Sequence, residues 1–234
     1  MKKVLLIILL FTTATVSAQD AKLGLLKRLS TSVNLFTDIW QTKNDSITPG
    51  SINPGINFSI MLDNPIGEKK TPWSYAFGAG ITSENLFNNI FIGNRKNASN
   101  ITETYFYRIP KVTTAGTALS YKKNKMVFTY IDIPFELRYR TTNGFKYAVG
   151  LKYGLLVGFD TKYKGEDPQG KLGSLTIKQS TATNLQTSRY GLTLAVGYKS
   201  LMFNGYYQLT KTYKEGVGPD MYPVSIGISL HPFK

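Results

Sequence analysis

Seven charged residues fall on alternate positions of what read as neighbouring strands: Asp132, Glu136, Arg138, Arg140, Lys146, Lys152 and, further on, Arg189. Carboxylates interleaved with cations in this way can close into ion pairs, or they can line a polar conduit. Other chemistry is largely excluded. With a single histidine, His231, a multi-His metal site is impossible; with no Cys there is no thiolate ligand, disulfide or Cys nucleophile. Ser229 and His231 lie two apart, as on one strand face. General-base catalysis by such a pair needs an orienting acid, and the sequence identifies none. No catalytic residue, metal or cofactor is implied. A second group lies between residues 83 and 126, where Arg95, Lys96, Arg108, Lys111, Lys122, Lys123 and Lys125 face only Glu84 and Glu103, a net +5. Tyr105, Phe106 and Tyr107 stand among them. Clustered cations attract anionic groups, and exposed aromatics suit a protein partner. Arg95, Lys96, Tyr105, Tyr107, Arg108, Lys122, Lys123 and Lys125 are therefore candidate binding contacts.

Strands must position these residues, because the dominant pattern has a period of two. From Val127 to Tyr139 the odd positions are Val, Thr, Ile, Ile, Phe, Leu and Tyr. The even positions include Asp132, Pro134, Glu136, Arg138 and Arg140. From Phe145 to Phe159 every odd position is apolar or aromatic, and the even ones hold Lys146, Ala148, Gly150, Lys152, Gly154 and Gly158. A strand separates such sets; a helix scatters them. The same rule predicts eight strands over 32–40, 54–62, 73–82, 127–140, 145–159, 187–198, 201–210 and 222–233. Thr141–Gly144 and Lys199–Ser200 read as tight turns. The connections run 13, 10, 44, 4, 27, 2 and 11 residues. Long connections thus gather at one end of an up-and-down meander. Within the longest, Thr104–Ile109 and Val112–Tyr121 are expected to pair as a hairpin. Gly150, Gly154 and Gly158 share strand parity and are expected to face inward together, so they are no helix-pairing motif.

The N-terminus reads as an export address. Lys2 and Lys3 precede an apolar core, Val4–Phe11, and Val16-Ser17-Ala18 supplies small residues for a peptidase. Residues 1–18 are the expected signal peptide and 19–31 a periplasmic segment, with the barrel proper over 32–234. No Cys follows the cleavage site, so a lipoprotein is excluded. Removing Lys2 and Lys3 leaves a net charge of +12 in place of +14. Beyond the leader no run approaches the ~18 apolar residues of a membrane helix.

Alternation alone does not say whether the apolar face meets a core or lipid. Three features choose lipid. The polar faces are crowded with Gly and Ala, which suit a narrow barrel interior better than a solvated strand face. Trp73, Tyr139, Phe145, Phe159, Tyr190 and Tyr198 sit near apolar strand ends, where amphipathic rings favour a membrane interface. The leader directs export. The expected fold is all-β: an eight-stranded antiparallel up-and-down transmembrane β-barrel with long extracellular loops, in a bacterial outer membrane. Asp132, Glu136, Arg138, Arg140, Lys146, Lys152 and Arg189 then point into the lumen and must pair or be hydrated. Setting Arg140 opposite Gly144 places Asp132 opposite Lys152; a shift by two pairs places Glu136 there. Eight strands leave room for side chains and not for an aqueous channel. The 83–126 contacts would reach lipopolysaccharide phosphates or envelope proteins; an exported barrel makes nucleic acid no partner. Asn97-Ala-Ser and Asn100-Ile-Thr match a glycosylation sequon, which carries little meaning in a bacterial barrel. Phe233 is penultimate, near the terminal aromatic position at which such barrels commonly end.

Two segments resemble a known family. Tyr130-Ile-Asp-Ile-Pro-Phe-Glu-Leu-Arg-Tyr-Arg140 is similar to the mid-barrel segment of the PorT-type outer-membrane β-barrel proteins of Bacteroidetes, and Gly218–Ile228 to their closing strand. The resemblance implies a non-enzymatic structural or interaction role, with a part in type IX protein secretion and gliding. It brings no catalytic residue. A small barrel that binds or modifies lipopolysaccharide, or a narrow pore, is the alternative.

Overall fold

Residues 28–67, 71–114, 116–180 and 182–230 are described by the structure, a computed structural model. The expected leader, His231 and Phe233 lie outside them. Eleven strands follow in order: β1 Leu29–Thr42, β2 Pro54–Pro65, β3 Trp73–Phe87, β4 Ile90–Lys96, β5 Thr102–Arg108, β6 Tyr121–Arg140, β7 Phe145–Glu166, β8 Ser174–Gln179, β9 Ser188–Tyr198, β10 Leu201–Gln208 and β11 Met221–Leu230. Eight of them, β1, β2, β3, β6, β7, β9, β10 and β11, pair antiparallel in that sequence, and β11 returns to β1 from Val33↔Leu230 to Thr42↔Met221. Closure leaves no edge in this wall. No helix occurs among the described residues.

The alternation sorts the two faces. Large apolar side chains stand bare on the outside: Leu35 is 61% exposed, Leu194 65% and Leu151 55%. A water-soluble barrel would bury these residues; lipid solvates them. Rings collect at both rims of the apolar band. Near the tight turns Trp73 meets Tyr139 at 4.8 Å and Phe145 meets Tyr198 at 5.2 Å. Toward the other end Tyr207 meets Tyr222 at 5.8 Å, with Tyr153 and Tyr190 paired across β7 and β9. The tight ends are made by Thr141–Gly144, where Gly144 takes φ +90°, and by Lys199–Ser200, where Lys199 takes φ +53°. On the β3 side of β6 the ladder lapses between Phe77↔Phe135 and Gly80↔Asp132, where Pro134 has no N–H to donate.

The register of β6 and β7 differs from both expectations. Arg140 lies opposite Lys146, so Asp132 faces Gly154, Glu136 faces Gly150 and Lys152 faces Pro134. The Thr141–Gly144 turn selects this register, since Thr141 N–H bonds the Phe145 carbonyl at 2.9 Å. A bulge then changes the face of β7. Tyr130 pairs with Leu156 and Thr129 with Gly158, which leaves Val157 as an extra residue. An extra residue flips every side chain beyond it. Phe159 is therefore buried and not in the outer aromatic band, and Gly158 stands beside outward-facing Thr129. Only Gly150 and Gly154 of the three glycines line the lumen.

Above the lipid band the long connections fold together. β3 continues to Phe87 and β6 starts at Tyr121, so the 44-residue connection is shorter than its sequence pattern implied. Its hairpin joins β4 to β5, from Ile90↔Arg108 to Lys96↔Thr102. The segment Thr104–Ile109 thus pairs upstream and not with Val112–Tyr121, which makes one bridge, Val112↔Ala118. Turn chemistry explains the choice. Asn97 Oδ1 accepts the N–H groups of Ser99 and Ile101 at 3.0 and 2.9 Å, and Asn100 takes φ +60°. Asn readily does both, while Pro110 ends the strand on the other side. Three further connections lock onto this hairpin. Thr104 N–H bonds Val217 O at 2.8 Å, Asn184 Nδ2 reaches Thr102 O at 2.8 Å, and Arg108 Nη2 reaches Asp45 O at 2.6 Å. Beneath them Trp40, Ile47, Leu86, Ile90, Phe106 and Phe128 pack in one apolar core with Phe159, Leu185 and Tyr213. This core seals the outer mouth of the lumen.

Candidate functional site

Two regions gather polar chemistry: the lumen and the cap. In the lumen, strands aim charges inward in two layers. The inner layer centres on Arg189, 1% exposed on β9. Its guanidinium pairs with Glu84 of β3, reaches Asp132 Oδ1 of β6 at 3.1 Å, and lies 3.6 Å over the Tyr130 ring. Thr82 Oγ1 donates to Asp132. Lys152 Nζ sits 3.9 Å from Asp132 Oδ2 and 3.7 Å from the Tyr206 ring centre. Asp38 of β1 accepts from Ser225 Oγ at 2.6 Å. Among the described residues Asp38 Oδ2, Glu84 Oε2 and Arg189 Nε are buried without a hydrogen-bond partner.

The second layer lies nearer the tight turns. Arg138 Nη1 contacts Asp63 Oδ2 and Ser30 Oγ, each at 3.1 Å, and its Nε reaches Glu136 Oε2 at 2.8 Å. Arg140 shares Asp63. Between Lys146 and Lys152 a cavity of about 120 Å³ remains, bordered by Asn34, Ser59, Asn204 and Ser229. Polar side chains thus leave a small polar-lined space, and the apolar cap core closes the barrel above it.

Three acids of this network lie outside the set of lumen charges that alternation marks. Asp63 follows the predicted 54–62 strand by one residue, Glu84 falls in the 83–126 connection, and Asp38 sits within the predicted 32–40 strand with Phe36 and Trp40 as its neighbours of like parity. Glu84 keeps the parity of Gly80 and Thr82, so extending the period of two would have found it.

The cap holds the second set. Arg95 and Lys96 stand at the tip of the β4–β5 hairpin, with Arg95 3.4 Å from Glu103 and 5.5 Å from the Tyr105 ring centre. Arg108 is at the hairpin's other end, five residues and roughly 17 Å away at strand rise. Lys123 and Lys125 lie on β6 with their ammonium groups 5.5 and 5.7 Å from the Phe87 ring centre, and Lys122 is exposed beside them. The expected contacts form no single basic patch. Burial, with Lys123 and Lys162 nearby, pulls the Lys125 ammonium below its ordinary pKa. Tyr107 is 44% exposed and backed by two rings, Phe91 and Tyr105, each at 5.8 Å.

Between the hairpin and the β6–β7–β8 wall lies a cleft of about 430 Å³. Ile90 and Met126 from the cap core form its floor. Phe91, Tyr107 and Tyr163 form its walls, and Gln169 and Gln179 stand exposed at its rim. Phe91 and Tyr163 touch at 5.2 Å. Asp167 also borders it, but its carboxylate accepts the N–H groups of Gln169, Lys171 and Leu172 at 2.9, 3.1 and 3.1 Å. Those bonds hold its pKa below the usual carboxylate value. No group of three or more acidic or histidine side chains placed to hold a metal ion occurs among the described residues.

Comparison with known proteins places the barrel in context. The family model of the outer membrane protein β-barrel domain matches residues 17–212. No curated protein matches the chain. Among solved structures, Ail, the attachment invasion locus protein of Yersinia pestis, aligns over 86% of this chain and 96% of its own at 10% identity and a TM-score of 0.36. The same protein in complex with the heparin analogue sucrose octasulfate gives 11% identity and 0.34 over the same shares. A chain from work on the asymmetric conductivity of engineered proteins gives 6% and 0.21 over 86% and 98%.

Proposed function

The chain belongs to the outer membrane protein β-barrel domain family, and from that premise we propose that it is a non-enzymatic anchor that displays a folded recognition cap at the cell surface. One observation carries this reading: four connections interlock over a shared apolar core. Loops that merely join strands have no need of a core of their own. Loops that carry function are held by a scaffold, and this cap is held by both the barrel and itself. The exposed cations and the Tyr105–Tyr107 segment are the surface through which envelope proteins or lipopolysaccharide would be met. Accessory service in type IX secretion is the finer reading. It rests on the likeness of Tyr130–Arg140 and Gly218–Ile228 to PorT-type proteins.

The test is in cells. A photocrosslinking residue in place of Arg95 or Tyr107, both exposed, is expected to trap an envelope macromolecule, and protease added to whole cells is expected to cut the loops. An uncut cap with no crosslink would overturn the recognition role. Export of secretion cargo at wild-type level in a deletion strain would remove the secretion role and leave the anchor intact.

A further inference from the structure

We propose that the cleft between the β4–β5 hairpin and the β6–β7–β8 wall binds a neutral saccharide unit. This deepens the reading of the cap as a recognition surface and rests on it. Size admits the proposal, since about 430 Å³ lies within the roughly 300–1,000 Å³ of small-molecule sites.

The lining then selects the chemistry. Tyr107 offers an exposed ring face, and contacts with Phe91 and Tyr105 hold that ring in place. A rigid aromatic face binds flat apolar surface at low entropic cost. Gln169 and Gln179 add amides at the rim, each able to donate and accept. A purely apolar ligand would make no use of these amides and would lose free energy wherever it stripped water from them. An anion would be held best by several cations, and Lys125 is the one cation among the lining residues, its ammonium shared with Asn85 Oδ1. A cationic ligand would need a free carboxylate, and Asp167 spends its own on three backbone N–H groups. A pyranose has one C–H face for the ring and a rim of hydroxyls for the amides. It is uncharged, and one or two units fill the space.

The test uses full-length protein refolded in detergent micelles on a glycan array bearing neutral, sulfated and phosphorylated oligosaccharides. Neutral glycans are expected to bind, with the signal falling at least tenfold in Tyr107→Ala and in Gln179→Ala. Both positions are exposed, and an unchanged cold-versus-boiled gel shift establishes that each variant is folded. Binding only to sulfated or phosphorylated glycans, no binding, or neutral binding that both variants retain would each overturn the proposal. An unfolded variant is replaced by Tyr107→Leu, which removes the aromatic face and keeps the bulk. Whole-cell protease accessibility reports separately on the surface display of the cap. A cut cap that binds no neutral glycan sinks this inference alone.

Discussion

Arg189 shows what a single side chain does in this barrel. It comes from β9 and pairs with acids from β3 and β6, so it ties strands that share no ladder with β9. Desolvating a guanidinium is costly, and the pairing offsets that cost only while both acids are present. Arg189→Met should therefore leave Glu84 and Asp132 as buried, poorly matched charges and destabilise the fold by about 3–5 kcal/mol. The urea midpoint of the refolded protein measures this, with exposed Lys199→Met as the control expected to show no shift. An Arg189→Met midpoint equal to wild type would mean the cluster contributes no net stability.

Among the elements, β7 repays the closest attention. It spans the lipid band and rises into the cap, and its two halves need opposite parity. Val157 makes the change: below it odd residues face lipid, and above it Phe159 faces the cap core against Phe128 at 5.2 Å. Because Val157 is the residue left out of the ladder, deleting it would join Leu156 to Gly158 opposite Tyr130 and Thr129 and leave Phe159 facing the cap core. The deletion is therefore expected to keep the heat-modifiable folded band, whereas Phe159→Asp, which puts a charge into that core, should lose it. Loss of the band in the deletion variant would show that the bulge itself holds the two halves of β7. Pairing within the cap obeys local turn chemistry in the same way. Asn97 and Asn100 decide that β5 returns along β4, and residues that match a glycosylation sequon serve as a turn.

Across the whole molecule, the barrel is stoppered at its cap end and incompletely filled within. The polar layers leave about 120 Å³ between Lys146 and Lys152, and the core around Trp40, Phe128 and Tyr213 closes the path above. Planar bilayers containing the pure protein should be electrically silent. Single-channel steps that change with Asp132→Ala or Lys152→Ala would show a continuous polar route and return the narrow-pore reading.

Much of this architecture was legible in one dimension. A period of two with one apolar face marks strands, and the uneven spacing of connections marks a meander, so all eight wall strands could be located. The seven lumen charges were legible for the same reason, since parity assigns a face without knowledge of any partner. Parity does not survive an inserted residue, so Phe159 and Gly158 were assigned to the wrong faces once Val157 bulged. Register was also undecided, because period-two patterns match themselves at every second position; the hydrogen bonds of the 141–145 turn made the choice. The acids opposite Arg189 and Arg138 come from strands 57 to 105 residues away in the chain, and no local pattern records such a distance. The cap core joins residues from four connections and the cleft residues from two, which only closure of the barrel brings together. What the sequence determined by itself was the strands and the face each residue takes, because those follow from local periodicity. Partners, register and cavities depended on the tertiary structure, because they exist only between elements.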